Sequence, residues 1–207
     1  MINTDLTFSN EVKNLGFIIN SKLNCKSHIT STIQKIYIVL RKLWCIASFL
    51  HTEVKLKLVK IFIIPLIIYG ANVYGNLDSP SLNKLQMTVN NCARFVHNKR
   101  KYDHISTYSK NILGSNLKAF LDTRNLLFIH KLIFNKTPDY LFECLIFSNS
   151  KRTNNLAVPV HRHLTTSRMF FINAVNLWNQ LPHHIKNIAN LKIFKFALYK
   201  INNSTLE

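Results

Sequence analysis

The chain has 207 residues, 47% of them hydrophobic, and its 27 Lys plus Arg against 9 Asp plus Glu give a formal net charge of +18. That length and apolar content exclude a disordered tail and suffice for the core of one large domain or two small ones. So large a positive surplus repels itself unless a polyanion or an anionic surface is a regular partner.

In chain order, the first stretch is β-like. LTF from Leu6 and LGFII from Leu15, broken by Ser9-Asn10, predict a hairpin or an edge pair. Only 4 glycines are available for tight turns, which argues against an all-β fold. From Ser27, a candidate cap, the spacing changes to that of a helix. Ile29, Ile33, Ile36, Tyr37, Leu40, Leu43, Trp44 and Ala47 recur at three- and four-residue steps, with Lys35 and Lys42 opposite and Arg41 nearby.

The rest of the chain is expected to pack around Thr52 to Gly75. Val54, Leu58 and Ile61 form one face of it and Lys57 and Lys60 another, with Glu53–Lys57 as a favourable i,i+4 pair. Ile61 to Tyr69 has no polar face, which predicts a helix enclosed by its neighbours. Pro65 lacks a backbone donor, so the helix should kink or restart near Ile64. The apolar run falls well short of the ~20 residues that cross a bilayer, so stable membrane insertion is not expected.

Ser79-Pro80 opens the next helix, with Leu82, Leu85, Val89, Cys92, Ala93 and Val96 inward and His97-Asn98 at its end. A basic loop follows, Lys99 to His104. Leu117 to Phe134 predicts a further long helix with Leu117, Phe120, Leu121, Leu127 and Phe128 inward, and Arg124 on the same stripe. Thr137-Pro138 begins a short helix, PDYLFECL. Residues 148–167 read as a basic loop with one extended segment near 156–161, where Pro159 favours an edge. Phe170, Phe171, Ala174, Leu177, Trp178 and Leu181 mark another helix, closed by Pro182. The last runs from Asn190 to about Asn202, with Phe194, Ala197, Leu198 and Ile201 inside and Lys192, Lys195 and Lys200 outside. The expected fold is mainly α, a helical bundle with a small N-terminal β element.

The sequence holds no catalytic constellation. Asp5, Glu11, Glu53, Asp78, Asp103, Asp122, Asp139, Glu143 and Glu207 are scattered, whereas two-metal chemistry needs carboxylates that converge on ions ~4 Å apart. The close pair Asp139 and Glu143 reads as a solvated helix face. Gly16, Gly70, Gly75 and Gly114 are isolated, so there is no phosphate-cradling loop. His161-x-His163 and His183-His184 lack Cys or carboxylate partners at ligand spacing, and no metal or other cofactor is expected. Cys25, Cys45, Cys92 and Cys144 read as buried thiols of a reducing compartment. MINTDLTFSNEVK shows no charged n-region followed by an apolar h-region, so a nuclear or cytoplasmic location is expected and secretion is not.

Two basic segments carry the functional signal. Arg94, Lys99, Arg100, Lys101 and Tyr102 form one cationic patch with a ring for stacking. Lys151, Arg152, Arg162 and Arg168 form a second, with His161 and His163 between them. Lysine and arginine neutralise phosphates whatever the base sequence, and aromatic rings stack on bases. Neither segment reads as a major-groove helix or a zinc finger.

Several motifs, in order, resemble the C-terminal end of reverse transcriptases from non-LTR (LINE-type, jockey-like) retrotransposons. VKNLGFIINSKLNCKSHI is similar to the family's V-x-Y-L-G-V-x-x-D-x-x-L-x-W-x-x-H-I at Val12, Leu15, Gly16, Leu23, His28 and Ile29, and departs from it at Asn14, Phe17, Asn20 and Cys25. Pro65, Tyr69, Gly70 and Gly75 resemble its P-x-x-x-Y-G segment, and Arg100, Asp103, His104, Ile105 and Ser106 its R-x-x-D-H-x-S stretch. Arg124, Lys131, Pro138, Tyr140 and Leu141 continue the likeness. Leu177-Trp178-Asn179-x-Leu181-Pro182, then Phe194-Lys195-x-x-Leu198, resemble its closing L-W-N-x-L-P and F-K-x-x-L.

The resemblance implies a helical thumb and post-thumb region that holds the RNA or DNA backbone of a template–primer. It implies three parts: 1–26 as a β remnant of the palm–thumb junction, 27–110 as a thumb-like region, and 111–207 as a C-terminal helical region. The family's Y-A-D-D motif would lie upstream, and this chain has no adjacent aspartate pair. The implied role is therefore non-catalytic, with magnesium belonging to a polymerase palm that is itself a candidate partner. Two readings from other classes stand beside it. Ile61–Tyr69 next to Lys55, Lys57 and Lys60 would suit a peripheral module on an anionic membrane. A structural scaffold would use the same basic surface for solubility or a protein partner. A metal-dependent nuclease is a more distant alternative.

Overall fold

The computed structural model describes residues 9–74, 76–148, 154–159 and 169–204. The chain is mainly helical, with one small two-stranded antiparallel sheet near its N-terminus. That sheet is a hairpin of β1 (Glu11–Asn14) and β2 (Phe17–Asn20), with Asn14 paired to Phe17 across a two-residue turn. The turn residues Leu15 and Gly16 both have positive φ, 47° and 84°, the hand that matches the twist of the two strands. The break at Ser9-Asn10 is thus not the turn; Leu15-Gly16, expected inside a strand, is. The LTF run lies outside the described residues.

Helix α1 (Lys26–Cys45) buries His28, Ile29, Thr32, Ile36, Leu40 and Leu43. Tyr37 and Trp44, expected inward, are 41% and 47% exposed. Each follows a buried residue, Ile36 and Leu43, and so sits about 100° further round the helix, at the edge of the stripe. Ser27 does not cap α1; its hydroxyl donates to Glu11 Oε1 and ties the helix to the hairpin.

The apolar stretch divides where proline requires it. α2 (Thr52–Phe62) ends at Ile63, and α3 (Ile64–Ile68) begins with Pro65 in its first turn, followed by α4 (Ala71–Tyr74). Only part of this stretch is enclosed. Val59, Ile63, Ile67, Ala71 and Tyr74 are buried, while Ile61 is 62% and Phe62 52% exposed. The buried side of α2 runs through Lys55 and Val59, so Val54 and Ile61 point to solvent, contrary to expectation. The apolar character alone could not orient this helix, because lysine aliphatic carbon is also buried there.

Helix α5 (Ser79–His97) packs on α1 and α2 and ends at Asn98, a left-handed cap with φ 50°. Asp78, not Ser79, precedes its first turn. A short helix not expected from the sequence, α6 (Ser106–Leu113), buries Ser109, Ile112 and Leu113 and is closed by Gly114. α7 (Leu117–Asn135) starts from Asn116, whose side chain accepts the Ala119 N–H at 2.7 Å. The short helix expected after Thr137-Pro138 is α8 (Asp139–Phe142). Next come α9 (Phe170–Gln180), α10 (His183–Lys186) and α11 (Leu191–Ser204).

Two apolar clusters hold the helices together. The first gathers α1 to α6 and the start of α7, from Ile29 to Leu121. The second is built on the rest of α7 with α9 to α11, from Leu126 to Leu198. α7 is the shared wall, and Leu126 and Ile129 fill the positions expected of Leu127 and Phe128, which are half-buried. Each large side chain removed from water contributes roughly 1.5–3 kcal/mol.

The extended segment near 156–161 is described only through Pro159. Within it Leu156 forms a single antiparallel bridge with Phe147. Asn179 seals that bridge from the other side: its Nδ2 donates to the Leu156 carbonyl at 2.8 Å and its Oδ1 accepts the Leu156 N–H at 2.9 Å. All four cysteines are free thiols, but the expected burial holds only for Cys92 in full; Cys25 is half-buried, and Cys45 and Cys144 are exposed.

Candidate nucleic-acid interface

The basic loop after α5 is held in a defined shape by its own backbone and by two neighbours. The Lys99 N–H donates to the Arg94 carbonyl at 3.0 Å, completing the left-handed cap at Asn98. The Asp103 carboxylate accepts the Arg100 N–H at 2.8 Å, and the Asp103 N–H returns to the Arg100 carbonyl at 3.2 Å, closing a turn. From below, Lys55 reaches through the interior, its ammonium 5.7 Å from the Phe95 ring centre, and donates to Asn98 Oδ1 at 2.7 Å. Only 2% of Lys55 is exposed, so it braces the loop and faces no outside partner.

This loop forms one wall of an open groove of about 670 Å³. Lys99 and Lys101 line it from the loop, Arg94 and Asn91 from α5, and Tyr37, Leu40, Arg41 and Trp44 from α1. Arg94 is oriented by two bonds, Nε to the Arg100 carbonyl at 3.3 Å and Nη1 to Asn91 Oδ1 at 3.2 Å. Asn91 also donates to the Tyr37 hydroxyl at 2.7 Å. The Trp44 ring stands edge-on against buried Phe95, with centroids 5.3 Å apart. Lys99 lies 5.2 Å from the Tyr108 ring and Lys101 5.5 Å from the Tyr102 ring, with both cations held over aromatic faces. His97 packs beside Tyr108, and burial, with repulsion from Lys99, lowers its pKa below the usual imidazole value.

Of the residues expected in the first patch, Arg94, Lys99 and Lys101 thus share one groove. Arg100 and Tyr102 stand exposed on the same loop outside its lining. Lys151, Arg152, Arg162 and Arg168, the second patch, lie outside the described residues. The contribution of α1 was not anticipated: Tyr37 and Trp44 look like core residues in the periodicity. Arg41, one of the few cations on that side of the helix, was the available signal.

Chemically, the groove offers cations and ring faces, and no carboxylate is among its lining residues. Among the described residues no group of three or more His, Cys, Asp or Glu is placed to hold a metal. Asp139 and Glu143 are both exposed, as a solvated helix face requires. Among the described residues no helix is long and apolar enough to cross a membrane.

No protein-family model matches the chain, and no solved structure matches it. It is similar to an uncharacterized protein of Caenorhabditis elegans, 26% identical over 117 residues that cover 56% of this chain. The matched region spans 59% of that relative's length.

Proposed function

We propose that the chain is a non-catalytic C-terminal part of a non-LTR-type RNA-directed DNA polymerase that holds nucleic acid through its basic loops. A polymerase palm is then a further partner. The observation that carries the reading is the groove in which Arg41, Arg94, Lys99 and Lys101 converge on one surface with no opposing carboxylate. Four cations lining one groove from its different walls suit a phosphate chain, which they contact whatever its sequence. The net charge of +18 supplies a long-range field of the same sign. The family motifs support the reading by their places in the fold: Tyr69 is tied to Leu15 and Asn179 to Leu156, each joining two distant segments, while Asp103 closes the turn of the basic loop. The test is filter binding of the purified chain to RNA and DNA oligonucleotides at low salt. Tight binding that weakens when Lys99, Arg100 and Lys101 become alanine is expected; no binding to either polymer at low salt contradicts the proposal.

A peripheral-membrane reading has one observation in its favour. Ile61 and Phe62 are exposed beside exposed Lys57 and Lys60, an arrangement that can lie on an anionic interface. Lys55 takes no part, being buried. Flotation with phosphatidylserine vesicles, with and without heparin, separates this reading from the first: an Ile61→Ser, Phe62→Ser pair abolishes flotation only if the apolar face is the contact.

A further inference from the structure

We infer that the groove between α1 and the 98–104 loop takes an unpaired stretch of nucleic acid, whose bases stack on Trp44 and Tyr37 while its phosphates meet Arg41, Arg94, Lys99 and Lys101. The inference rests on the nucleic-acid reading above and narrows it to a strand form and a contact mode.

The rings are the reason. A basic surface made for a duplex needs only charge, because the base faces of a duplex are covered by their neighbours. Here two large aromatic side chains stand 41% and 47% exposed on the groove wall among the cations. Both are fixed from behind, Trp44 by the buried Phe95 ring and Tyr37 by the 2.7 Å bond from Asn91. A ring held in place and left open on one side loses little freedom when a base stacks on it. Tyr37 and Trp44 are seven residues apart on one helix, about 10 Å along its axis. That rise matches about three stacked nucleotides at ~3.4 Å each. Arg41 falls between the rings on the same helix, and the loop lysines form the facing wall. Stacking accepts any base, so the groove should show little sequence preference.

The test compares a single-stranded oligothymidylate with a blunt duplex of equal length at the same salt, using the full chain. The chain has 2 tryptophans, and Trp178 is buried with Nε1 bonded to the Asn154 carbonyl, so quenched emission reports Trp44. The single strand is expected to bind at least tenfold tighter than the duplex and to quench the emission. Trp44→Ala and Tyr37→Ala should each weaken single-strand binding about tenfold with the salt slope unchanged, and Trp44→Phe should restore most of it. If an alanine variant fails to fold, the quench in the unaltered protein decides: present with single strand and absent with duplex supports the inference, and absent with both overturns it. Equal binding to both forms, with Trp44→Ala without effect, overturns the inference and leaves the nucleic-acid reading standing. Binding to neither overturns both. Competition by poly-glutamate as strong as by oligothymidylate shows that the groove reads charge alone, and overturns it as well.

Discussion

The Tyr69 hydroxyl, at the end of α3, donates to the carbonyl of Leu15 in the hairpin turn, 54 residues earlier in the chain. One residue on, Gly70 lies so close to Phe17 that a Cβ there would sit 2.8 Å from the ring. Phe17 in turn stacks on buried His28, with centroids 3.9 Å apart. Two of the sequence motifs are therefore halves of one contact, which docks the hairpin onto the helical body.

That contact predicts an ordering of two glycine substitutions. Gly70→Ala meets both a positive φ of 70° and the Phe17 ring, and should cost about 2 kcal/mol or more. Gly16→Ala meets a positive φ of 84°, but its nearest neighbour, Tyr69 Oη, is at an ordinary 3.6 Å, so about 1 kcal/mol is expected. Urea unfolding of the two variants measures the difference. Equal losses would mean that the approach of Phe17 to Gly70 is not tight.

Asn179→Ala removes the donor and the acceptor that pair with both backbone groups of Leu156, a residue only 2% exposed. Leaving buried backbone groups unpaired costs about 1–3 kcal/mol. The loss should appear in thermal or urea unfolding and should reach the 154–159 segment first, as faster amide exchange at Leu156. Wild-type exchange at that amide would contradict the assignment.

Stability should fall as the solution is made mildly acidic. Burial, with repulsion from Lys35, holds His28 below the usual imidazole pKa; burial does the same to His130, only partly offset by its 2.7 Å bond to the Ile188 carbonyl. In both cases the unfolded chain binds the proton more readily, so stability is full above ~6.5 and is lost as the pH falls from there through the lowered folded values. Asp122, raised by burial, works in the opposite direction in the carboxylate range. Urea midpoints at pH 7.5, 6.5 and 5.5 should decline in the native chain, and a His28→Gln, His130→Gln variant should show a flatter profile. A midpoint constant across that range contradicts the burial argument.

Most helical elements were legible because apolar residues recur at helical spacing and because Pro65 and Pro80 punctuate them; α6 and the caps at Gly114 and Asn116 were not read. Which way a helix faces was less legible. On α1, Tyr37 and Trp44 satisfy the three- and four-residue steps yet line an open groove, since periodicity does not separate the centre of a stripe from its edge. On α2 a lysine takes a core position because a polar partner, Asn98, waits at the far end of its aliphatic stem. That partner comes from a segment 43 residues away, which no local pattern reports. The Leu15-Gly16 turn was hidden for a similar reason: Leu15 is an unusual choice at positive φ, and its carbonyl is held by distant Tyr69. In the candidate site, the cations of the 98–104 loop could be read from charge alone, whereas the rings opposite them could not.

The central claim is that this surface contacts phosphates, and the salt dependence of binding tests it most directly. Each phosphate neutralised lowers the slope of log K against log salt by ~0.7 for a single strand and ~0.9 for a duplex. Measured by fluorescence anisotropy between about 50 and 200 mM salt, the Lys99→Ala, Arg100→Ala, Lys101→Ala variant should bind more weakly, with a slope shallower by roughly two to three units at most. An affinity and slope equal to those of the unaltered chain would remove the loop from the interface and contradict the account.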